Sequence, residues 1–320
     1  MTATSNTTTA PSHLLRIADL TATQLYAMLD LADDMKDGST WWTAPQNGTV
    51  LACLFDRPST RTRVSFEAAA HRLGMTPIML RPDELLLARG EPLADTARVL
   101  SSYAAAIVVR TFAQATLEEL AEAASVPVVN ALTDAHHPCQ ALADLLTLRR
   151  HYGYLDGLRI AYVGDGNNVA HSLMEAGALA GMHVAVSTPL GYEPDHDVTR
   201  RALTLAAEHG GSIQLGHDPH SAVAGADAVY TDAWVSMEED AERERRLRDF
   251  KAYQVDDVLM RAAAPGAVFM HCLPAHRGLE VAASVIDGPS SVVWEQAANR
   301  LPTEQAALHM LIYGPHRSGE

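Results

Sequence analysis

Two successive blocks of alternating strand and helix patterns predict an α/β protein, built as two parallel-sheet α/β domains joined by interdomain helices. Three observations carry that prediction. Short apolar runs bounded by turn residues recur along the chain, helical periodicities separate them, and polar residues with chemical potential collect just after the runs. The 320 residues give room for two domains of ordinary size.

Taken in order, residues 1–13 open with a Ser/Thr-rich stretch that has neither a basic nor an apolar signal-like region. They are expected to form a disordered tail, not a targeting segment. Residues 13–36 place Leu14, Leu15, Ile17, Leu20, Leu25, Met28, Leu29, Leu31 and Met35 at helical spacing, which predicts one or two amphipathic helices. Strands are expected over 49–55, 75–80, 105–110 and 126–132, with helices over 64–73, 92–103 and 115–124. A helix over 138–151 leads to the second block. Its strands are expected over 158–163, 183–187, 212–215, 228–231 and 268–273, and its helices over 168–180, 197–209 and 256–263. A last helical pattern covers 296–311.

Composition narrows the function. Apolar residues make up 48% of the chain and charged ones 20%, as in a globular protein. The net charge of −15, from 39 acidic and 24 basic residues, argues against nucleic acid or an anionic membrane as the main partner. An anionic ligand would therefore need arginines concentrated in one place. Cys53, Cys139 and Cys272 lie far apart without zinc-ligand spacing, as expected of reduced thiols in a cytoplasmic protein. No apolar run approaches membrane-spanning length.

The arginines are concentrated at residues 57–63. There Arg57, Arg61 and Arg63 alternate with Ser59, Thr60 and Thr62 between a strand end and a helix start. Unpaired amides, the positive end of a helix dipole, hydroxyls and guanidinium forks together suit an oxyanion such as phosphate. Arg110, closing the run Ile107–Arg110, reads either as a surface arginine or as a second fork on the same anion. His137 and Gln140 stand one turn apart around Pro138 at a helix start, a pair suited to polarising a carbonyl and holding an amide. A metal bound by His136 and His137 is discounted, because adjacent side chains rarely face one way.

In the second block, Gly164-Asp165-Gly166-Asn167-Asn168 follows a strand but lacks the third glycine of a dinucleotide turn. Asn167 and Asn168 suit the carboxylate of a small polar ligand. Asp232 either pairs with an ammonium group or caps a helix expected over 238–250. Cys272, in His271-Cys272-Leu273-Pro274, reads as a contact residue more readily than as a nucleophile, and Leu273-Pro274 is a candidate cis peptide. Because ligands of such sheets bind at the carboxyl ends of strands, polar ends on both blocks point to a cleft between the domains.

These stretches, with Asp95–Leu100 and Asn299-Arg300, resemble the carbamoyltransferases, and most closely the ornithine branch, from about residue 14 to 311. The resemblance implies a carbamoyl phosphate domain over 14–145, an amine-acceptor domain over 146–295, and a C-terminal segment 296–320 packing back on the first. It implies Ser59, Thr60, Arg61, Thr62 and Arg110 on the phosphate. His137, Thr62, Arg110 and Arg300 would lie on the carbamoyl oxygen, with Gln140 and the Leu273 carbonyl on its NH2. Asn168, Asp232, Ser236 and Met237 would bind the acceptor, with Glu238 beside it and Cys272 next to the attacking amine. Neither metal nor organic cofactor is implied. A cytoplasmic homotrimer or higher multiple is implied, with a loop near 83–91 reaching the neighbour's site.

Five positions depart from the family pattern: Arg57 replaces Lys, Leu86 replaces Gln with Ala88 nearby replacing Gly, Glu238 replaces Gly, and Ala298 interrupts Glu-Asn-Arg. Glu238, as a carboxylate near the acceptor, motivates an alternative in which a different diamine or diamino-acid derivative is carbamoylated. Two further readings are a nicotinamide-dependent dehydrogenase using the Gly-Asp-Gly turn and a binding relative without activity. The first leaves the Ser-Thr-Arg-Thr-Arg stretch unexplained. Against the second stands the full set Arg61, Thr62, Arg110, His137, Gln140 and Cys272.

Overall fold

A computed structural model describes residues 10–38, 49–57, 59–81, 90–235 and 242–314. By their contacts these fall into two compact units. One runs up to Cys139 and resumes at Arg300; the other is Gln140–Asn299.

In the first unit, α1 (Ala22–Asp37) begins with a capping box, Thr21 and Gln24 each accepting from the other's backbone amide. Then follow β1 (Val50–Phe55), α2 (Thr60–Arg72), β2 (Thr76–Leu80), α3 (Leu93–Tyr103), β3 (Ala106–Arg110), α4 (Gln114–Ala123) and β4 (Val128–Leu132). The strands form a parallel sheet in the order β2-β1-β3-β4. The expectation of a helix from residue 13 fails at Leu14, which is extended and bridges Val129 of the edge strand β4. Its N–H donates to Val128 O at 2.9 Å and its carbonyl accepts from Asn130 N at 2.8 Å. An open sheet edge with unpaired backbone groups outweighs local helical periodicity there.

α5 (Pro138–Tyr152) crosses from the first unit into the second. After it come β5 (Arg159–Val163), α6 (Asn168–Leu179), β6 (His183–Ser187), α7 (His196–His209), β7 (Ser212–Gly216), α8 (Pro219–Val223) and β8 (Ala228–Thr231). The unit continues with α9 (Arg243–Asp249), α10 (Asp257–Met260), β9 (Val268–His271) and α11 (Ala283–Ile286). Its parallel sheet has the order β7-β6-β5-β8-β9. α12 (Val293–Tyr313) starts here and ends in the first unit, carrying Pro302 in its interior.

Two further expectations shift. β9 stops at His271 rather than 273, because Leu273 takes a left-handed backbone at φ 60°. α9 starts at Arg243 with Glu242 as its N-cap, so Asp232 does not cap it. No helix among the described residues is long and apolar enough to cross a membrane.

Candidate active site

In the first unit, parallel pairing puts Phe55 of β1 opposite Arg110 of β3, so the turn after β1 lies beside the Arg110 side chain. Ser59 is the N-cap of α2, yet its hydroxyl makes no cap bond; it accepts from Arg110 Nη1 at 3.1 Å. The start of a 13-residue helix thus keeps its donor character while an arginine fork stands over it. Thr60 and Arg61 are exposed in the first turn, and Thr62 is buried.

Arg300 of α12 is buried and donates from Nη2 to Thr62 Oγ1 at 3.2 Å. Its Nε and Nη2 also donate to Glu304 Oε1 at 2.9 and 2.7 Å. Burial raises the Glu304 carboxyl above its ordinary value, against the opposing pull of Arg300. His137 is buried, and burial together with Arg300, Arg110 and Arg61 holds it well below the usual imidazole range. It is therefore an uncharged ring at neutral pH, with one N–H to offer. Cys139 donates to Asn130 O at 3.3 Å, and burial pushes its thiol up, so it is an inert packing residue.

The second unit builds another cluster at the carboxyl ends of β5, β8 and β9. Register aligns Tyr162 with Tyr230 and Thr231 with His271, which brings the segments just beyond them together. Asp232 is the hub. It accepts from Asn167 Nδ2 at 2.9 Å, from Cys272 Sγ at 3.0 Å and from Ala233 N at 2.8 Å. Asn167 is the N-cap of α6, its Oδ1 accepting from Val169 N and Ala170 N. Asn168, to which the sequence reading gave the binding role, is the first residue of that helix. Gly166 sits where a Cβ would lie 2.3 Å from Pro194 N, so the turn admits only glycine.

Gln140, in the first turn of α5, is also in this unit and donates from Nε2 to Asp144 Oδ1 at 2.8 Å. Leu273 N donates to His271 Nδ1 at 2.8 Å, and Leu273-Pro274 is cis, as the sequence suggested. Metal-like convergence among the described residues occurs not at His136 and His137 but at Asp232, His271 and Cys272, whose donor atoms lie within 4.8 Å of one another. All three already hydrogen-bond: Cys272 to Asp232, and His271 to the Leu273 amide.

Ser236, Met237, Glu238, Leu86, Ala88 and most of the 83–91 loop lie outside the described residues. Of the other departures, Arg57 stands over the Phe112 ring at 5.9 Å, and Ala298 is exposed while Asn299 and Arg300 are buried. Sequence reading missed Asp144, Gln296 and Glu304. Asp144 and Glu304 each lie four residues beyond a singled-out residue on the same helix, a spacing that could have found them.

Family-level sequence models match both halves. The carbamoyl-P binding domain of aspartate/ornithine carbamoyltransferase matches residues 12–150, and the Asp/Orn binding domain of that family matches 156–311. The ornithine carbamoyltransferase of Acidothermus cellulolyticus is 51% identical over 94% of this chain and 96% of its own length. That of Methanothermobacter thermautotrophicus is 51% identical over 94% and 98%. Among solved structures, the Pyrococcus furiosus ornithine carbamoyltransferase superimposes with a TM-score of 0.92 at 49% identity, covering 95% of this chain and 98% of its own.

Proposed function

The chain belongs to the aspartate/ornithine carbamoyltransferase family, and on that premise we propose that it transfers the carbamoyl group of carbamoyl phosphate to the side-chain amine of L-ornithine, giving L-citrulline and phosphate. The observation that carries the reading is the α2 N-terminus, with Arg110 on Ser59 and Arg300 on Thr62 beside an uncharged His137. Ser59, Thr60, Arg61, Thr62 and Arg110 bind the phosphate. Thr62, Arg110, His137 and Arg300 stabilise charge on the carbamoyl oxygen as the tetrahedral intermediate forms. A neutral imidazole serves there as a hydrogen-bond donor.

Gln140 and the Leu273 carbonyl accept from the carbamoyl NH2. Asn168, Asp232, Ser236 and Met237 bind ornithine, and Cys272 lies by its reacting amine. The uncharged amine attacks the carbamoyl carbon, the C–O bond to phosphate breaks, and the departing phosphate takes the proton the amine loses. Supporting the acceptor role is the carboxylate hub at Asp232, a counter-charge for an ammonium.

Relatives about half identical over almost the whole chain bear the name of the ornithine enzyme, and one from Pyrococcus furiosus is named anabolic. They favour ornithine over the alternative acceptors that Glu238 suggested, and a place in arginine biosynthesis. We also assign the enzyme to the cytoplasm, in keeping with three cysteines that form no disulfide among the described residues. A homotrimer is in keeping with Val64, Ile78, Val99, Tyr103 and Phe112, all exposed on the first unit. The test is ureido-product formation from carbamoyl phosphate with ornithine, lysine, putrescine and amidated ornithine. Ornithine should exceed the others at least about tenfold in kcat/KM, the worth of one or two well-placed polar contacts. Faster turnover of any other amine would refute the assignment.

A further inference from the structure

Asp144 is buried in the middle of α5 and is absent from the reaction as described above. Its Oδ1 accepts two amide N–H groups, from Gln140 Nε2 at 2.8 Å and from Gln296 Nε2 at 2.7 Å. Gln296, also buried, donates to Tyr230 Oη at 3.1 Å. Its Oε1 accepts from His271 N at 3.0 Å. His271 in turn holds the Leu273 amide through Nδ1 at 2.8 Å. An unbroken series of hydrogen bonds thus runs from Gln140 through Asp144 and Gln296 to the backbone that carries the Leu273 carbonyl.

A primary amide has a donor end and an acceptor end, and they point opposite ways. A carboxylate oxygen facing Gln140 fixes the donor end inward, which turns Oε1 outward as an acceptor. Gln296 is fixed in the same sense, with its NH2 on Asp144 and its oxygen on the His271 amide. Leu273, at φ 60°, sits in a left-handed backbone region that a leucine adopts only when its surroundings impose it. The His271 ring and the Gln296 amide grip that turn at two successive points.

We propose that Asp144 is a positioning residue: bridged by Gln296, it fixes the Gln140 amide and the His271–Pro274 turn as one frame of acceptors for the carbamoyl NH2. This inference rests on the carbamoyl transfer proposed above. The frame reads the NH2 and not the phosphate, so it selects carbamoyl phosphate over acetyl phosphate, where a methyl group replaces the NH2.

The test compares the KM of carbamoyl phosphate with the competitive inhibition constants of acetyl phosphate and inorganic phosphate. It uses the full-length enzyme, its Asp144→Asn variant and the double variant Asp144→Asn/Gln140→Glu. In Asp144→Asn an amide can present either end to Gln140, so the preference for carbamoyl over acetyl phosphate should fall about tenfold, while inorganic phosphate binds within about twofold of wild type. The double variant reverses the polarity: the new amide at position 144 donates to the new carboxylate at position 140, whose second oxygen again accepts, with one carboxylate retained in the interior. It should recover at least half of the lost preference on a logarithmic scale, a rescue that a purely structural role for Asp144 would not produce. Gln296→Met, of similar shape, should lower the same ratio.

An unchanged ratio in Asp144→Asn, or no rescue in the double variant, overturns the inference while leaving carbamoyl transfer standing. A wild-type enzyme that does not favour carbamoyl over acetyl phosphate overturns carbamoyl transfer and the inference together.

Discussion

Replacing Arg300 by methionine separates what this residue does for the fold from what it does for the reaction. The side chains of Arg300 and Glu304 are 6% and 0% exposed. Two guanidinium N–H groups converge on one Glu304 oxygen at 2.9 and 2.7 Å, and Nη2 also reaches Thr62 at 3.2 Å. Removing one partner of such a buried pair costs about 3–5 kcal/mol, because the other is left unpaired without water. Exchanging both partners for apolar groups of similar volume is close to neutral.

In a unit of this size each kcal/mol moves Tm by roughly 2–4 °C, so Arg300→Met should melt roughly 6–20 °C below wild type. Arg300→Met/Glu304→Leu should recover most of that loss. Activity should divide differently: both variants lose a donor to the carbamoyl oxygen, and kcat/KM should fall about 10²–10³-fold in each. Calorimetric melts and citrulline formation on the same preparations measure the two effects. A double variant that melts as low as Arg300→Met would refute the buried-charge account. One that melts near wild type and also regains turnover would remove Arg300 from the reaction.

Two histidines predict the response to acid. Burial lowers His309 to about 4, and burial with three arginines lowers His137 well below 6.5. Above pH 6.5 both rings are neutral whether the chain is folded or not, and their stability contribution is complete. As the pH falls below 6.5 the unfolded chain takes up protons first, so stability drops by about 1.4 kcal/mol per pH unit for each histidine, down to about pH 4 for His309. Urea unfolding at pH 7.5, 6 and 5 should show this slope, and His309→Gln should remove its own share; a variant with the wild-type slope contradicts the assignment. Gly166→Ala forces a methyl group into the Tyr192–Pro194 backbone, with contacts of 2.3 to 2.6 Å. It should destabilise by about 1–3 kcal/mol and raise KM for ornithine more than KM for carbamoyl phosphate, as steady-state kinetics would show.

Parallel strands buried on both faces read as apolar runs, which made β1, β3, β5 and β8 legible in the chain. Helix starts carrying hydroxyls, arginines or asparagines made Ser59–Thr62 and Asn167-Asn168 legible. What stayed hidden was set by partners distant in sequence. Leu14 looked helical beside Leu15 and Ile17, and only the open edge at β4 makes it a strand residue. Gln296 resembles any polar position within an apolar helix until α12 brings it to 2.7 Å from Asp144 of α5. Asn167 and Asn168 both suit a ligand in the sequence, and only the fold shows that the Asn167 amide also donates to Asp232.

The division of the chain at Cys139 and Arg300 has a consequence for its synthesis. Gln140–Asn299 is one continuous segment, whereas the first unit resumes only at Arg300. That last portion carries Ala306, Ala307, Leu308, Met310 and Leu311, all buried. A growing chain therefore cannot complete its upstream unit until the last turns of α12 have been made. The part made first is completed last, and until then its nascent apolar surface is left for chaperones to shield.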